Sequence, residues 1–395
     1  MLRFLTAGES HGPSLVVVVE GLPAGLAVDA DDLAAELARR RLGFGRGPRM
    51  RFERDQVRLL GGVRHGRTLG SPVAVEIANT EWPKWQEEMR AAPGIPSKRL
   101  TTPRPGHADL AGMLKYSFDD ARDVLERASA RETAARVAAG YLAKALLATI
   151  GVAVVSHVVR IGAAASSGRR PGPDDLAAVD ASEVRCLDDA AAEAMVAEIR
   201  AAAKVGDSLG GVAEVVAYGV PVGLGSYVHW DRKLDGLLAG ALMSIQAVKA
   251  VEIGDGAAQA AQRGSVAHDA IATAPEHARG GGFERRSDHA GGLEGGVSSG
   301  APIIARVSMK PLATLNRPVL ETVDLTTGES TVSFKERTDV TAVPALGVVA
   351  ETMTALVLAR EAQRKFGGDT VEEFTRNLEG YLEGLGSHAS AARPV

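Results

Sequence analysis

The chain has 395 residues, is 45% apolar but only 4% aromatic, and carries a formal charge of −4; that leaves room for two or three domains and a core of Ala, Val and Leu, and gives no bulk-charge pull toward nucleic acid or an anionic membrane. Its basic residues are 35 Arg against 10 Lys, and Arg forks around carboxylate and phosphate where Lys cannot. One cysteine, Cys186, excludes an intrachain disulfide or a cysteine-based metal site; with no leader pattern and no apolar stretch near the ~18 residues of a membrane helix, the expected location is the cytoplasm.

The first expected strand is 2–6. Gly8-Glu9-Ser10-His11-Gly12 follows it. The pentapeptide fits G-x-S-x-G, the serine-hydrolase elbow with Ser10 as nucleophile, but an elbow needs a helix after the serine. Here four valines, Val16 to Val19, follow and favour a second strand. The competing reading is a strand-to-strand turn on glycine hinges that places His11 as an acid; a plain turn with an incidental histidine is the third.

A helix is expected over 29–41, capped by Asp29 or Asp31. It ends in Arg39, Arg40 and Arg41, followed by Gly43, Gly45, Arg46, Gly47 and Arg49. Glycines between arginines let a loop wrap an anion; a solvated helix end with cations on its dipole is the alternative. Strands at 57–60 and 72–77 flank a glycine-rich turn. The segment 81–99 reads as a short helix and loop containing Trp82 and Trp85. The loop 101–107 is stiffened by Pro103 and Pro105, fixing Arg104 and His107. Arg127-Ala128-Ser129-Ala130-Arg131 opens a long buried helix over 131–150, where free backbone N–H groups favour phosphate.

Further on come a strand at 152–161, an exposed loop at 162–180, a helix at 188–204 and a strand at 212–218. A helix at 234–246 and a strand at 248–253 precede a glycine-dense, loop-like region, 254–301. Its segment 280–300 fits neither the dinucleotide fingerprint nor the Walker pattern, and reads as backbone contact with a cofactor or as a surface loop. Strands at 303–309 and 319–325 and helices at 344–366 and 371–384 complete the chain. Arg337 and Asp339 alternate along an extended segment and share a face, as an ion pair or as a base held ionised. The mixture lacks the regular alternation of a doubly wound sheet.

Together, Gly8 to Gly12, Arg104-Pro105-Gly106-His107-Ala108-Asp109, 127–133, 287–300 and 337–339 closely resemble the chorismate synthase family, in the family's order and over nearly the whole chain. The resemblance implies an α+β fold over 1–395: a single-domain β-α-β sandwich of antiparallel sheets flanking a helical layer, assembled as a homotetramer. It implies a lyase that converts 5-enolpyruvylshikimate 3-phosphate to chorismate and phosphate by 1,4-anti elimination, the last step of the shikimate pathway to aromatic amino acids. Reduced FMN (FMNH2) is required without net redox change. It lends electron density as phosphate leaves, and its N5 takes up the ring proton. NADPH then enters as an indirect reductant through an external flavin reductase.

By the same resemblance, His11 and His107 protonate the departing phosphate and the flavin, in an order the motifs leave open. Asp339, oriented by Arg337, relays the proton at N5, and Ser10 and Ser129 support by hydrogen bonds. FMN is held by Arg127, Ala128, Ser129, Gln246, Ala247, Gly295, Lys310, Pro311, Leu312, Ala313, Thr314 and Arg337. Arg40 and Arg46 match positions that hold a phosphorylated ligand, substrate or NADPH, and Arg49, Arg104 and Arg131 add to the anion-binding set. Three places depart from the pattern: Asp288 stands where the family often has Asn, Gln246 varies in the family, so that its contact falls to the backbone, and 310–314 keeps the Lys-Pro start but little else distinctive.

Overall fold

Strand alternation builds the first sheet. The computed structural model describes residues 2–47, 55–97, 99–274, 277–317, 319–334 and 338–391; Arg49 and Arg337 therefore lie outside the described residues. β1 (Arg3–Ala7) and β2 (Ser14–Glu20) pair antiparallel across the pentapeptide turn, with Thr6 opposite Val17. β2 buries Leu15, Val17 and Val19 and turns Val18 to solvent, the period of two that a half-buried strand requires. A strand, not a helix, thus follows Ser10, and the hydrolase elbow fails on backbone grounds. β3 (Gln56–Gly61) and β4 (Val73–Ala78) complete an antiparallel sheet of order β1-β2-β4-β3.

The second sheet comes from the other half of the chain. β5 (Ala153–Ile161), β6 (Ala164–Ala165), β7 (Gly211–Tyr218), β8 (Val248–Ile253) and β9 (Ile303–Met309) form an antiparallel sheet of order β8-β9-β7-β5-β6. The fold class is α+β, as expected.

Helices α1 (Ala30–Arg40), α2 (Asp109–Tyr116), α3 (Arg122–Ala128), α4 (Thr133–Ala148), α5 (Leu176–Ala181), α6 (Asp189–Val205), α7 (Leu234–Met243), α8 (Val343–Phe366) and α9 (Val371–Ala391) account for most of the rest. Asp29 caps α1, its side chain accepting from the Asp31 N–H at 2.7 Å. α4 packs on β2 and on β5 and runs against α8, which packs on β5 and β7. Small residues make this possible: a Cβ on Gly140 of α4 would stand 2.2 Å from Thr352 Cγ2 and 2.9 Å from Thr352 Cα of α8. A core poor in aromatics is filled by bringing backbones together.

α8 overturns one expectation. It is 24 residues long, and an 18-residue window of it has a mean hydropathy of 1.4, enough to cross a membrane, but that window is 89% buried inside the protein. Its one charged residue in the first half, Glu351, is wholly buried and accepts from Arg39 Nη1 at 2.8 Å, Arg185 Nη2 at 3.0 Å, Lys144 Nζ at 2.5 Å and Ser156 Oγ at 2.6 Å. The same cluster explains why 162–180 is not a plain exposed loop. Asp180 receives Arg39 Nε at 2.6 Å and pairs with Arg185, which draws α5 onto the fold.

Other differences are local. The helix expected within 81–99 is a 3-10 turn, Trp82–Lys84. α2 and α3 fall where no element was expected. α7 stops at Met243, short of 246, and Ala247 takes a left-handed φ of 65°. The strand expected at 319–325 shrinks to Glu321–Val323, paired with Ser330–Val332. Region 254–301 is loop-rich but carries hairpins, Ile271–Thr273 with Phe283–Arg285 and Leu293–Glu294 with Val297–Ser298. Asp288, at the family departure, sits 3.4 Å from Arg170 Nη1.

Replacing Gly140 by Ala tests the helix contact. In an open helix Ala is the better residue by about 1 kcal/mol; here overpacking against the Thr352 backbone outweighs that, for a net loss of about 1–3 kcal/mol in urea unfolding.

Candidate active site

Eight pieces of chain converge on one cavity of about 440 Å³: the 8–12 turn, the loop after α1, the segment after β4 that carries Trp85, the loop before α2, the α3–α4 junction, the segment after α7, the segment after β9 and the entry to α8. That volume lies within the roughly 300–1,000 Å³ of ligand pockets. Trp85, Ile245, Met309, Leu312, Leu346 and Val349 give it apolar walls, and Arg40, Arg46, Arg104 and Arg131 give it cations.

His11 enters from the glycine-hinged turn. Its Nδ1 lies 2.9 Å from Glu126 Oε1, and its backbone N–H donates to Glu126 Oε2 at 2.8 Å. Burial would raise the Glu126 carboxyl, but hydrogen bonds and charge from His11, with help from Arg122, hold it below its ordinary value. An ionised carboxylate only accepts, so Nδ1 is the donor. The Trp85 ring stacks on the imidazole, centroids 4.1 Å apart.

His107 is held in the same style by a different element. The Arg104–His107 turn closes through the His107 N–H to the Arg104 carbonyl at 3.2 Å, with Gly106 at a φ of 78°. Nδ1 lies 2.5 Å from Asp109 Oδ1, at the first turn of α2. Arg104 Nε donates to Asp109 Oδ2 at 2.8 Å, and Arg104 Nη1 to Thr314 Oγ1 at 3.0 Å. Burial would raise Asp109; the His107 and Arg104 hydrogen bonds and charge hold it far below the usual carboxylate range. Lys310 Nζ donates to the Gly106 carbonyl and steadies the loop.

Asp339 has Arg46 Nη1 at 3.0 Å and accepts from the Gly47 N–H at 2.6 Å. Its described partners thus come from the loop after α1. Arg131 is buried and committed to structure as well as to the cavity wall: it pairs with Asp55 and donates from Nε to Asn79 Oδ1 at 3.0 Å. Asn79 in turn donates to the carbonyls of Glu9 at 3.0 Å and Gly12 at 2.8 Å, so Arg131 helps set the turn that carries His11. Arg40 Nη1 reaches Thr133 Oγ1 at 3.4 Å. Ser129 caps the helical run into α4, accepting from the Arg131 N–H, and donates to Ser10 Oγ at 3.2 Å. Ser10 is 3% exposed and its neighbouring imidazole is turned to Glu126, which also argues against a nucleophilic serine.

The cavity therefore gathers His11, His107, Asp339, Ser10, Ser129, Arg40, Arg46, Arg104, Arg131, Gln246, Leu312, Ala313 and Thr314. Arg127 is not in its wall. It lines an adjoining cleft of about 380 Å³ with Glu132, Arg136 and Ser244, and donates to the Thr6 carbonyl at 3.0 Å. Gln246 borders both spaces; its Nε2 donates to Glu132 at 3.1 Å and its Oε1 is buried without a hydrogen-bond partner among the described residues. Ala128, Ala247, Gly295, Lys310 and Pro311 do not line the cavity; Gly295 sits at the turn of the 293–298 hairpin, at a φ of 60°. Sequence reading assigned no role to Glu126, Asn79, Asp55 or Trp85. Asp109 stood two residues from His107 and was legible; Glu126 carried no signal beyond its place beside Arg127.

The profile of the chorismate synthase family matches residues 2–362. A protein from Thermobifida fusca described as chorismate synthase is 57% identical over 397 aligned residues, covering 98% of this chain and 99% of the relative. Another so described, from Frankia alni, is 60% identical, covering 98% and 100%. A solved structure titled as the crystal structure of chorismate synthase superposes with a TM-score of 0.79 at 38% identity, covering 98% of each chain.

Asp109 makes a pH prediction. Its folded pKa is depressed, so its contribution to stability is present above its unfolded value of about 3.9 and fades as pH falls below it. Asp109→Asn is expected to lose about 3 kcal/mol at pH 7, where Arg104 is left buried beside a neutral amide. Urea unfolding at pH 7 and pH 3 should show the gap between variant and parent narrowing at the lower pH.

Proposed function

The chain belongs to the chorismate synthase family, and we propose that it performs the family's reaction with His11, His107 and Asp339 as its proton-handling groups. It is a carbon–oxygen lyase that converts 5-enolpyruvylshikimate 3-phosphate to chorismate and phosphate. One observation carries the assignment of roles: two histidines held by buried carboxylates and one aspartate held by arginine face a single cavity rich in arginine.

Reduced FMN suits the residues present. The buried, unpartnered Gln246 Oε1 offers an acceptor to a ring N–H, so this glutamine contributes its side chain and not its backbone alone. Ile245, Leu312 and Met309 offer apolar faces to a flat ring, and the arginines offer charge to phosphate. When bound, reduced FMN supplies electron density to the substrate as phosphate leaves and a basic ring nitrogen for the ring proton.

The chain's own residues do the rest. Arg40, Arg46 and Arg104 draw the substrate's carboxylates and phosphate into a site whose field is positive although the protein is negative overall. His11 and His107 each have Nδ1 on a carboxylate, so each exchanges its proton with ligand through Nε2. Imidazole is the side chain best suited to giving and taking a proton near neutral pH, and so suits both deliveries. Asp339, held by Arg46 and the Gly47 N–H, is the relay for the ring proton, with Arg337 close by in sequence.

The finer organisation is inferred with the same reading. The two sheets flank the α4–α8 layer as one single-domain sandwich, supported by a core cluster that runs through both sheets and the helices between them. Exposed Tyr227, Val228 and Trp230 favour self-association, in keeping with a homotetramer. Flavin is reduced outside this chain, with NADPH as the indirect source, in the cytoplasm.

The test is anaerobic. Protein mixed with 5-enolpyruvylshikimate 3-phosphate and dithionite-reduced FMN should release chorismate and phosphate in equal amounts, and none with oxidised FMN. His11→Ala and His107→Ala should each cost ~10²-fold or more in kcat. Steady NADPH-driven turnover by the isolated protein would overturn the external-reductase reading. Light scattering should give a mass four times that of the chain.

A further inference from the structure

Glu126 does not line the cavity, yet it holds the turn that does. Its carboxylate accepts from the His11 backbone N–H at 2.8 Å, from His11 Nδ1 at 2.9 Å and from Arg122 Nη1 at 3.0 Å. Its own backbone carbonyl accepts from the Ser10 N–H at 2.9 Å. One residue of α3 thereby fixes backbone and ring of the Ser10–His11 pair, with the carboxylate 2% exposed as a residue. Trp85 closes the ring's face at 4.1 Å, its plane 28° from the imidazole, and the Arg122 guanidinium carbon stands 4.9 Å from the Trp85 ring centre.

We propose that Glu126 is a positioning residue for proton transfer at His11: it fixes the Nδ1–H tautomer and aims Nε2 at the ligand, with Trp85 packing the ring against rotation. The proposal rests on His11 being catalytic. Its physical basis is the same as that of carboxylate-held histidines generally, where the second ring nitrogen sets orientation and basicity.

The surrounding charge makes the carboxylate matter. Glu9 belongs to the same turn, Arg122 to α3, and Arg40, Arg46, Arg104, His107, Arg131 and Asp339 line the same cavity. Most of these are cations, which oppose a second positive charge on His11. Glu126 puts a carboxylate in direct contact with its ring, and an aromatic face attracts a cation as well. Glu126→Gln keeps the shape but gives His11 a group that both donates and accepts. Two N–H donors of His11 and one of Arg122 cannot all be met by it.

Trp85 supplies the readout. A stacked imidazolium quenches indole fluorescence, so the difference between parent and Trp85→Phe reports the titration of His11 in substrate-free, full-length protein. In Glu126→Gln the midpoint is expected to fall by about one pH unit. The alkaline limb of kcat/KM should move down with it, and kcat should fall about 10- to 100-fold with KM within a few-fold of the parent. Glu126→Asp, which keeps the charge, should recover part of both, and circular dichroism establishes that each variant is folded. An unchanged fluorescence midpoint and pH profile in folded Glu126→Gln, with His11→Ala inactive, would sink the positioning role alone. Full turnover by His11→Ala would instead remove the catalytic reading of His11, and the proposal with it.

Discussion

A single buried arginine ties the two ends of the site together. Arg131 starts the helical layer, yet its guanidinium reaches across to Asp55 and Asn79 at the end of the first sheet. Asn79 then holds the Glu9 and Gly12 carbonyls. The glycine hinges of that turn leave it free to take many shapes; the Asn79 amide and the Glu126 carboxylate choose one. Sheet, helix and turn must therefore be in register before His11 has a place. A buried charge with its full set of partners costs several kcal/mol to break, so this arrangement couples the fold to the chemistry instead of leaving the catalytic turn on a loose loop.

The cavity's electrostatics follow one pattern throughout. Each proton-handling group is next to a group of opposite charge, and the carboxylates beside the two histidines are themselves held by arginines. Glu126 has Arg122, Asp109 has Arg104, and Asp339 has Arg46. Asp109 and Glu126 stay ionised in spite of burial because hydrogen bonds outweigh the loss of water. Arg104 and Arg46 are thus doubly used: each neutralises a carboxylate and also lines the cavity as a cation, whereas Arg122 serves Glu126 from behind the wall. An overall charge of −4 says nothing against such a site, since the field that a ligand meets is local.

Much of this was written along the chain, but not all of it. β2 was legible because four consecutive valines have little other use, and α1 because Asp29 stands just before an amphipathic run. His11, His107 and Asp339 were legible as members of motifs, and they do meet. Glu126 was not, because its meaning depends on where α3 is folded and not on its neighbours in sequence. Arg127 looked like part of the same anion site as Arg131 and instead turns to Thr6 in the adjoining cleft. The length and hydropathy of α8 read the same whether lipid or two sheets surround it; only the packing distinguishes them. The 162–180 segment has the composition of a loop, and Asp180 is drawn inward by arginines from α1 and from beyond α5.

The glycines after α1 have a use beyond the one their spacing suggested. Interspersed with arginines, they suggested a loop wrapping an anion. Their observed neighbours are protein. A Cβ on Gly43 would lie 2.7 Å from Pro344 Cβ, and one on Gly45 2.7 Å from Ile199 Cγ2. Both take positive φ, 119° and 85°, which L-residues with side chains adopt only under strain. The loop therefore lies directly on the entry to α8, where the Val340 N–H donates to the Gly45 carbonyl at 2.8 Å. That close approach is what delivers the Gly47 N–H and Arg46 to Asp339. Gly43 and Gly45 thus let a cationic loop and an acidic segment fit together tightly enough to hold one carboxylate at the cavity wall.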